Sequence, residues 1–251
     1  MGVRIPAKQS LFHGRTIVWF SCGIASAVCA KLVTAVNPDA EVAYCDTSRD
    51  EHPDNMRFKA DVERWIGKPI TVIRSDKYSS IDEVFAATNF MSGIGGARCT
   101  TELKKIPRLR FENPGDIHVF GFTADEQKRI VNFEENNPEL YLSWPLRDNG
   151  MTKSDCLDMV RRAGIEIPAM YKLGFKNNNC LGCVKASSPK YWNMIRANFP
   201  AAFEQRASRS REIGCRLVQY HGERIFLDGL PAETTEEVIE DLSCGPQCGL
   251  K

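Results

Sequence analysis

No stretch of this chain approaches the apolar length that spans a bilayer, which excludes a helical membrane span. No apolar run follows basic residues near its start, so a secretory leader is not expected and the chain reads as cytoplasmic. Charge of one sign is also lacking: 33 basic against 32 acidic residues leave a net charge of +1. That balance argues against a broad nucleic-acid or membrane surface, though not against a local basic pocket. Internal repeats and low-complexity segments are absent as well. Cysteine, by contrast, is plentiful, with 10 among 251 residues. In a cytoplasmic chain these are not expected to form a disulfide framework, so metal binding or thiol chemistry is the better reading. With 43% hydrophobic residues the chain can bury a core as one large domain or one domain plus an appendage.

Residues 16–32, TIVWFSCGIASAVCAKL, organise the rest. An apolar, β-rich run over residues 16–20 predicts a buried strand. It breaks at Ser21-Cys22-Gly23 and resumes with Ala25-Ser26-Ala27-Val28, which suit a helix start. Strand, small-residue turn and helix N-terminus together make an anion site, because the first helical N–H groups point outward without partners. An ordinary strand-to-helix turn would look the same.

Further strands are expected at 41–45, 70–73, 117–122 and 140–146, alternating with helices at 56–66, 81–91, 101–110 (interrupted by Pro107), from 125 onward, and at 153–163. Such alternation predicts an α/β fold, a layered parallel sheet of about five strands with helices on both faces. Asp46 and Thr47 follow the second strand, at the end where open sheets place ligands. From about residue 152 the character changes. We therefore divide the chain into residues 1–151, an α/β sheet domain, and 152–251, a helical, cysteine-bearing C-terminal extension. Within it a helix over 191–213, broken near Pro200, carries Arg206, Arg209 and Arg211 on its solvated side, a short strand follows at 224–227, and an acidic helix covers 235–242.

Cys180-Leu181-Gly182-Cys183 can present two thiolates to one metal, since the glycine permits the backbone reversal. Cys99, Cys244 and Cys248 are candidates to complete such a site. All-thiolate ligation suits zinc or an iron–sulfur cluster, and a redox pair is the other reading of one CxxC. Cys22, Cys29, Cys45, Cys156 and Cys215 lie in apolar or helical contexts and read as small core residues.

Taken in order, these segments resemble the phosphoadenosine phosphosulfate (PAPS) reductase family, within the PP-loop group of adenine-nucleotide-binding proteins. Ser21-Cys22-Gly23-Ile24-Ala25-Ser26-Ala27-Val28 resembles the family's SFGIxxAV loop. Asp46-Thr47 with Pro53 resembles its DTGxxxPET segment, and Cys99 through Lys104 to Pro107 its CCxxRKxxP segment. Gly121, Glu126 and Arg129 resemble GxRxxES followed by Arg. Pro145-Leu146, Met170-Tyr171, Gly174-Phe175 and the Cys180–Cys183 pair complete the sequence of motifs.

The resemblance implies a sheet whose PP-loop, Ser21 to Ser26 with Cys22, Gly23 and Ile24, holds phosphate or sulfate groups of an adenine nucleotide. Asp46, Thr47, Lys104, Gly121 and Arg129 are the other implied nucleotide-binding residues. It implies a tail cysteine, here Cys248, that attacks the sulfonucleotide's sulfur, and a thioredoxin-type thiol that releases sulfite. It implies a 4Fe–4S cluster on Cys99, Cys180, Cys183 and Cys244, with zinc as the alternative. The chain departs from the pattern at Thr100, where a cysteine is expected, at Thr123, where the family has arginine, and in a tail carrying two versions of its ending. A homo-oligomer is compatible with the family. The competing function is an ATP-dependent PP-loop sulfurtransferase acting on tRNA or DNA. Its loop normally carries an aspartate where Ala25 stands, near the nucleotide's metal ion. A non-catalytic nucleotide-binding or structural zinc protein is the third reading.

Overall fold

Every residue of the first apolar run is buried, and the run forms strand β1 (Thr16–Phe20). The structure, a computed structural model, describes residues 14–93 and 96–233. Strands β2 (Glu41–Cys45), β3 (Thr71–Ile73), β4 (Ile117–Phe120) and β5 (Tyr141–Ser143) join β1 in a five-stranded sheet of order β3-β2-β1-β4-β5. All of its pairings are parallel, with Val18 opposite both Val42 and Val119.

A parallel sheet must be covered on both faces, and the side-chain alternation of β1 shows how. Val18 and Phe20 point into one apolar cluster with α1 (Ile24–Val36), α2 (Asp54–Ile66) and Cys156 and Val160 of a helix at Lys153–Arg162. Ile17 and Trp19 point into another with Phe120, Trp144 and the buried face of a helix at Gln127–Asn136. A third apolar cluster joins α3 (Ile81–Thr88) to the C-terminal helices. Those helices are α6 (Pro189–Asn198) and α7 (Pro200–Ile213), while the helices at Gln127–Asn136 and Lys153–Arg162 are α4 and α5. The chain builds β1 to β3 in one direction and then returns to the other side of β1 for β4. The sheet's topological switch point therefore lies between the carboxyl ends of β1 and β4, where open α/β sheets leave a crevice.

Several expected boundaries move. Pro107 does not interrupt its helix. Arg98–Thr100, a π-turn at Thr101–Lys105 and Ile106–Phe111 follow without a break, and Pro107 comes directly after the π-turn, whose last bond runs from the Ile106 N–H to Thr101 O. The fourth strand stops at Phe120, and the fifth ends at Ser143 because Pro145 starts a helix, Pro145–Asp148. The expected strand at 224–227 is one arm (Glu223–Ile225) of a hairpin whose first arm, Val218–Tyr220, was not anticipated. Arg206 is not solvated. It is 3% exposed, because α7 turns it toward Asp50 at 3.5 Å and Asp82 at 3.7 Å. The acidic helix expected at 235–242 lies outside the described residues.

Candidate active site

At the switch point the chain leaves β1 through Ser21-Cys22-Gly23 and enters α1 with Gly23 as N-cap. No side chain caps the helix and its first turn carries no acidic residue. The first N–H groups of the helix are thus left to a ligand, in the polarity that favours an anion. Ser26 shapes the turn: its hydroxyl donates to Gly23 O at 2.9 Å and accepts from the Ser21 N–H at 3.1 Å and the Ser21 hydroxyl at 3.2 Å. Opposite, Gly121 directly follows the last residue of β4. A Cβ there would lie 2.8 Å from Ser26 Cα and 2.9 Å from Ser26 N, so only glycine lets the two loops approach.

Between them opens a narrow cleft of about 80 Å³. Ser21, Gly23, Ala25, Ser26 and Gly121 line it, with Trp19, Phe122, Thr123, Glu126, Arg129, Lys153, Tyr171 and Asn177, Asn178 and Asn179. Thr123 and Glu126 form a capping box, the Thr123 N–H and hydroxyl donating to Glu126 Oε2 at 2.9 and 3.0 Å. Arg129 pairs with Glu126 and sits 4.6 Å from the Phe122 ring centroid. Lys153, the first residue of α5, donates to Asn177 Oδ1 at 2.9 Å. Trp19 donates through Nε1 to His118 Nδ1 at 3.1 Å, and burial, with Arg108 nearby, pushes the His118 imidazole down to about 4. The His118 imidazole is therefore neutral at physiological pH.

Of the expected nucleotide-binding residues, Ser21, Gly23, Ser26, Gly121 and Arg129 meet at this cleft. The side chains of Cys22 and Ile24 turn into the apolar core, so these residues serve the loop through backbone. Burial, with Glu51 close by, raises the Cys22 thiol far above the usual range. Asp46 and Thr47 do not line the cleft. Burial opposes ionisation of Asp46, but Ser48 (3.0 and 2.6 Å) and Arg74 (3.0 Å) outweigh it and hold the carboxyl below its ordinary value. Thr47 is 2% exposed and donates to Glu51. Lys104 is buried behind the sheet end, its charge close to the Cys22 and Cys45 thiols, and does not line the cleft either. Lys153 and the Asn177–179 loop were missed as site residues. The capping box Thr152–Asp155, which fixes Lys153 in the first turn of α5, is the sequence signal that marks its position.

The cysteine turn stands beside this site. Cys180 and Cys183 are buried and share one apolar cluster with the partly buried Cys99. Gly182 sits at φ +66, and a Cβ on it would come 2.9 Å from Arg206 Cγ. The Leu181 N–H donates to Asp50 O at 2.7 Å and the Cys183 N–H to Tyr191 Oη at 2.8 Å. Burial raises the Tyr191 phenol, and the neighbouring Cys183 adds to it. Arg206 lies beneath the turn with Nε and Nη1 making no hydrogen bond among the described residues. Two buried thiols beside unsatisfied guanidinium N–H groups fit an anionic, thiolate-held group in donor chemistry. Among the described residues, however, no three His, Cys, Asp or Glu side chains form a group that could hold a metal ion. Cys244 and Cys248 lie outside the described residues.

Comparison with known proteins agrees with the motif reading. A family model described as "Phosphoadenosine phosphosulfate reductase domain" matches residues 15–189. No curated protein sequence matches. Among solved structures, a phosphoadenylyl-sulfate (PAPS) reductase from Candida auris, in a phosphate complex, is similar at 12% identity and a TM-score of 0.47. The match covers 66% of this chain and 80% of that one.

Proposed function

The chain belongs to the phosphoadenosine phosphosulfate reductase domain family, and from that premise we propose that it reduces a sulfonucleotide to sulfite by thiol chemistry. The observation that carries the reading is the cleft at the β1/β4 switch point. An uncapped helix N-terminus forms one side, Gly121 permits the close approach, and Lys153 and Arg129 bring cationic groups to the same space. Backbone N–H groups of the PP-loop bind the phosphate–sulfate anion, and the two cations offset charge developing on the leaving phosphate.

In the proposed reaction a thiolate, assigned to Cys248, attacks the sulfonyl sulfur of PAPS. An S–S bond forms, the S–O bond to phosphate breaks, and adenosine 3′,5′-bisphosphate leaves with the electron pair. A thioredoxin-type dithiol then attacks the enzyme thiosulfonate, releasing sulfite and becoming a disulfide. Cys99, Cys180, Cys183 and Cys244 are the residues that would hold a 4Fe–4S cluster, with zinc the alternative. When bound, such a cluster supplies a redox-active centre fixed beside the cleft.

The ATP-dependent sulfurtransferase acting on tRNA or DNA is the second reading, and one observation favours it: the Glu126 carboxylate lines the cleft. That carboxylate is already engaged by Thr123 and Arg129, which argues against its use on a nucleotide's metal ion. The test is sulfite release from PAPS, with thioredoxin as reductant, by anaerobically purified protein whose iron is counted. Sulfite formation abolished in Cys248→Ser supports the reductase. PAPS left intact while ATP is cleaved supports the sulfurtransferase.

A further inference from the structure

Two residues before Cys180, Asn178 is only 6% exposed and reaches out of its own loop. Its Nδ2 donates to Cys22 O at 2.7 Å and to Asn55 Oδ1 at 2.7 Å. Asn55 is fully buried and donates its own Nδ2 to Glu51 Oε2 at 2.8 Å, so its Oδ1 is the atom that faces Asn178. Chemistry fixes both amides, because turning Asn178 over would set its oxygen against two acceptors. The cost of this arrangement is visible at the other end of the amide: Asn178 Oδ1 is buried with no hydrogen-bond partner.

What the amide grips explains why that cost is tolerated. Cys22 adopts φ +56, a left-handed conformation that a non-glycine residue resists, with its side chain sunk in the apolar core. It immediately precedes Gly23, the uncapped start of α1. The peptide that leaves β1 is thus held in an unfavourable turn by a hydrogen bond from the cysteine loop. A second bond, Leu181 N–H to Asp50 O, ties the same loop to the chain after β2.

We propose that Asn178 is a positioning residue for nucleotide binding. By holding the Cys22 carbonyl it keeps the anion loop in its left-handed turn and its N–H groups directed at the cleft, so the cysteine loop and the anion loop act as one unit. The proposal rests on the nucleotide-binding reading above.

Its test compares Asn178→Leu, which keeps volume and loses the donor, with Asn178→Ala, in the full chain. Each is checked by melting and titrated by calorimetry with inorganic pyrophosphate and with adenosine 5′-phosphate. Because Asn178 acts through the loop that meets the anion, both probes should weaken by the same factor, about tenfold, equivalent to about 1.4 kcal/mol. Adding Cys22→Gly should restore most of that loss, since glycine takes the left-handed turn without strain. A merely structural defect would not be repaired by deleting a buried thiol. Unchanged affinities, or a loss for the nucleotide alone, or a loss that Cys22→Gly does not repair, would each overturn the proposal. A wild-type protein that bound neither probe would overturn the nucleotide-binding reading itself, and this assignment with it.

Discussion

The loops after β1 and after β2 look alike in sequence: each is a polar turn at the carboxyl end of a buried parallel strand, and each leads into a helix. The first lines the cleft at the switch point, and no residue of the second does. Around the loop after β2 the polar groups satisfy one another, Tyr44 Oη donating to Glu51 Oε2 at 3.0 Å, Thr47 to Glu51, and Ser48 and Arg74 to Asp46. The cysteine turn then covers it through Asp50. The loop after β1 has one internal device, Ser26, and leaves its helix uncapped beside the gap where the strand order reverses. A strand end becomes a binding site when its polar groups are left over and the topology gives them room. Polarity alone does not make one.

The sharpest way to break this contrast is at Gly121. Gly121→Ala drives a Cβ to 2.8 Å from Ser26 Cα, against backbone that cannot yield. We expect nucleotide affinity to fall by about a hundredfold, with a stability loss of about 1–3 kcal/mol from overpacking. Calorimetric titration and thermal melting read the two effects separately. In the loop after β2 the pattern should reverse. Thr47→Val removes a buried donor to Glu51, so it should cost about 1–3 kcal/mol of stability while nucleotide affinity in the folded protein stays within about twofold. A large affinity loss without destabilisation would return that loop to the site.

The strand wall behind the first loop sharpens the comparison through pH. His118 is held neutral, its folded-state pKa lowered from 6.5 to about 4. As pH falls through that window the unfolded chain takes up a proton that the folded chain refuses, so stability drops with acid, by an upper bound of about 3 kcal/mol. His118→Gln should flatten the melting temperature between pH 6.5 and 4. An equally steep acid loss in the variant would assign it to other groups. The smallest effect is expected at Gly23. A Cβ there meets Tyr171 Oη at 3.4 Å and Ser21 Oγ at 3.5 Å, ordinary contact distances, so Gly23→Ala should change affinity less than about threefold, about 0.7 kcal/mol.

Much of the frame was legible in the sequence. The first two sheet strands fall on their expected residues because continuous apolar, β-rich runs end at sharp polar breaks. Gly121 and Arg129 were identifiable by motif, and the structure supplies the reason for the glycine. Asp46 and Thr47 stand outside the lining of this cleft, because a sequence shows polarity at a strand end but not that Glu51 engages Thr47 while Ser48 and Arg74 engage Asp46. Lys153 and Asn178 reach the cleft only through the packing of α5 on α1 and the return of the cysteine loop to Cys22, contacts spanning more than a hundred residues, 156 in the case of Asn178. Arg206 was read as solvated because its helix is otherwise charged. Burial came from the two aspartates brought to it by other elements.

The central claim is that nucleotide enters between the ends of β1 and β4. Hydrogen exchange of the protein with and without saturating PAPS tests it most directly. Added PAPS should slow exchange at residues 21–27 and 121–129 and leave residues 46–51 unchanged. Protection confined to residues 46–51, with none at either of the other two segments, would contradict it.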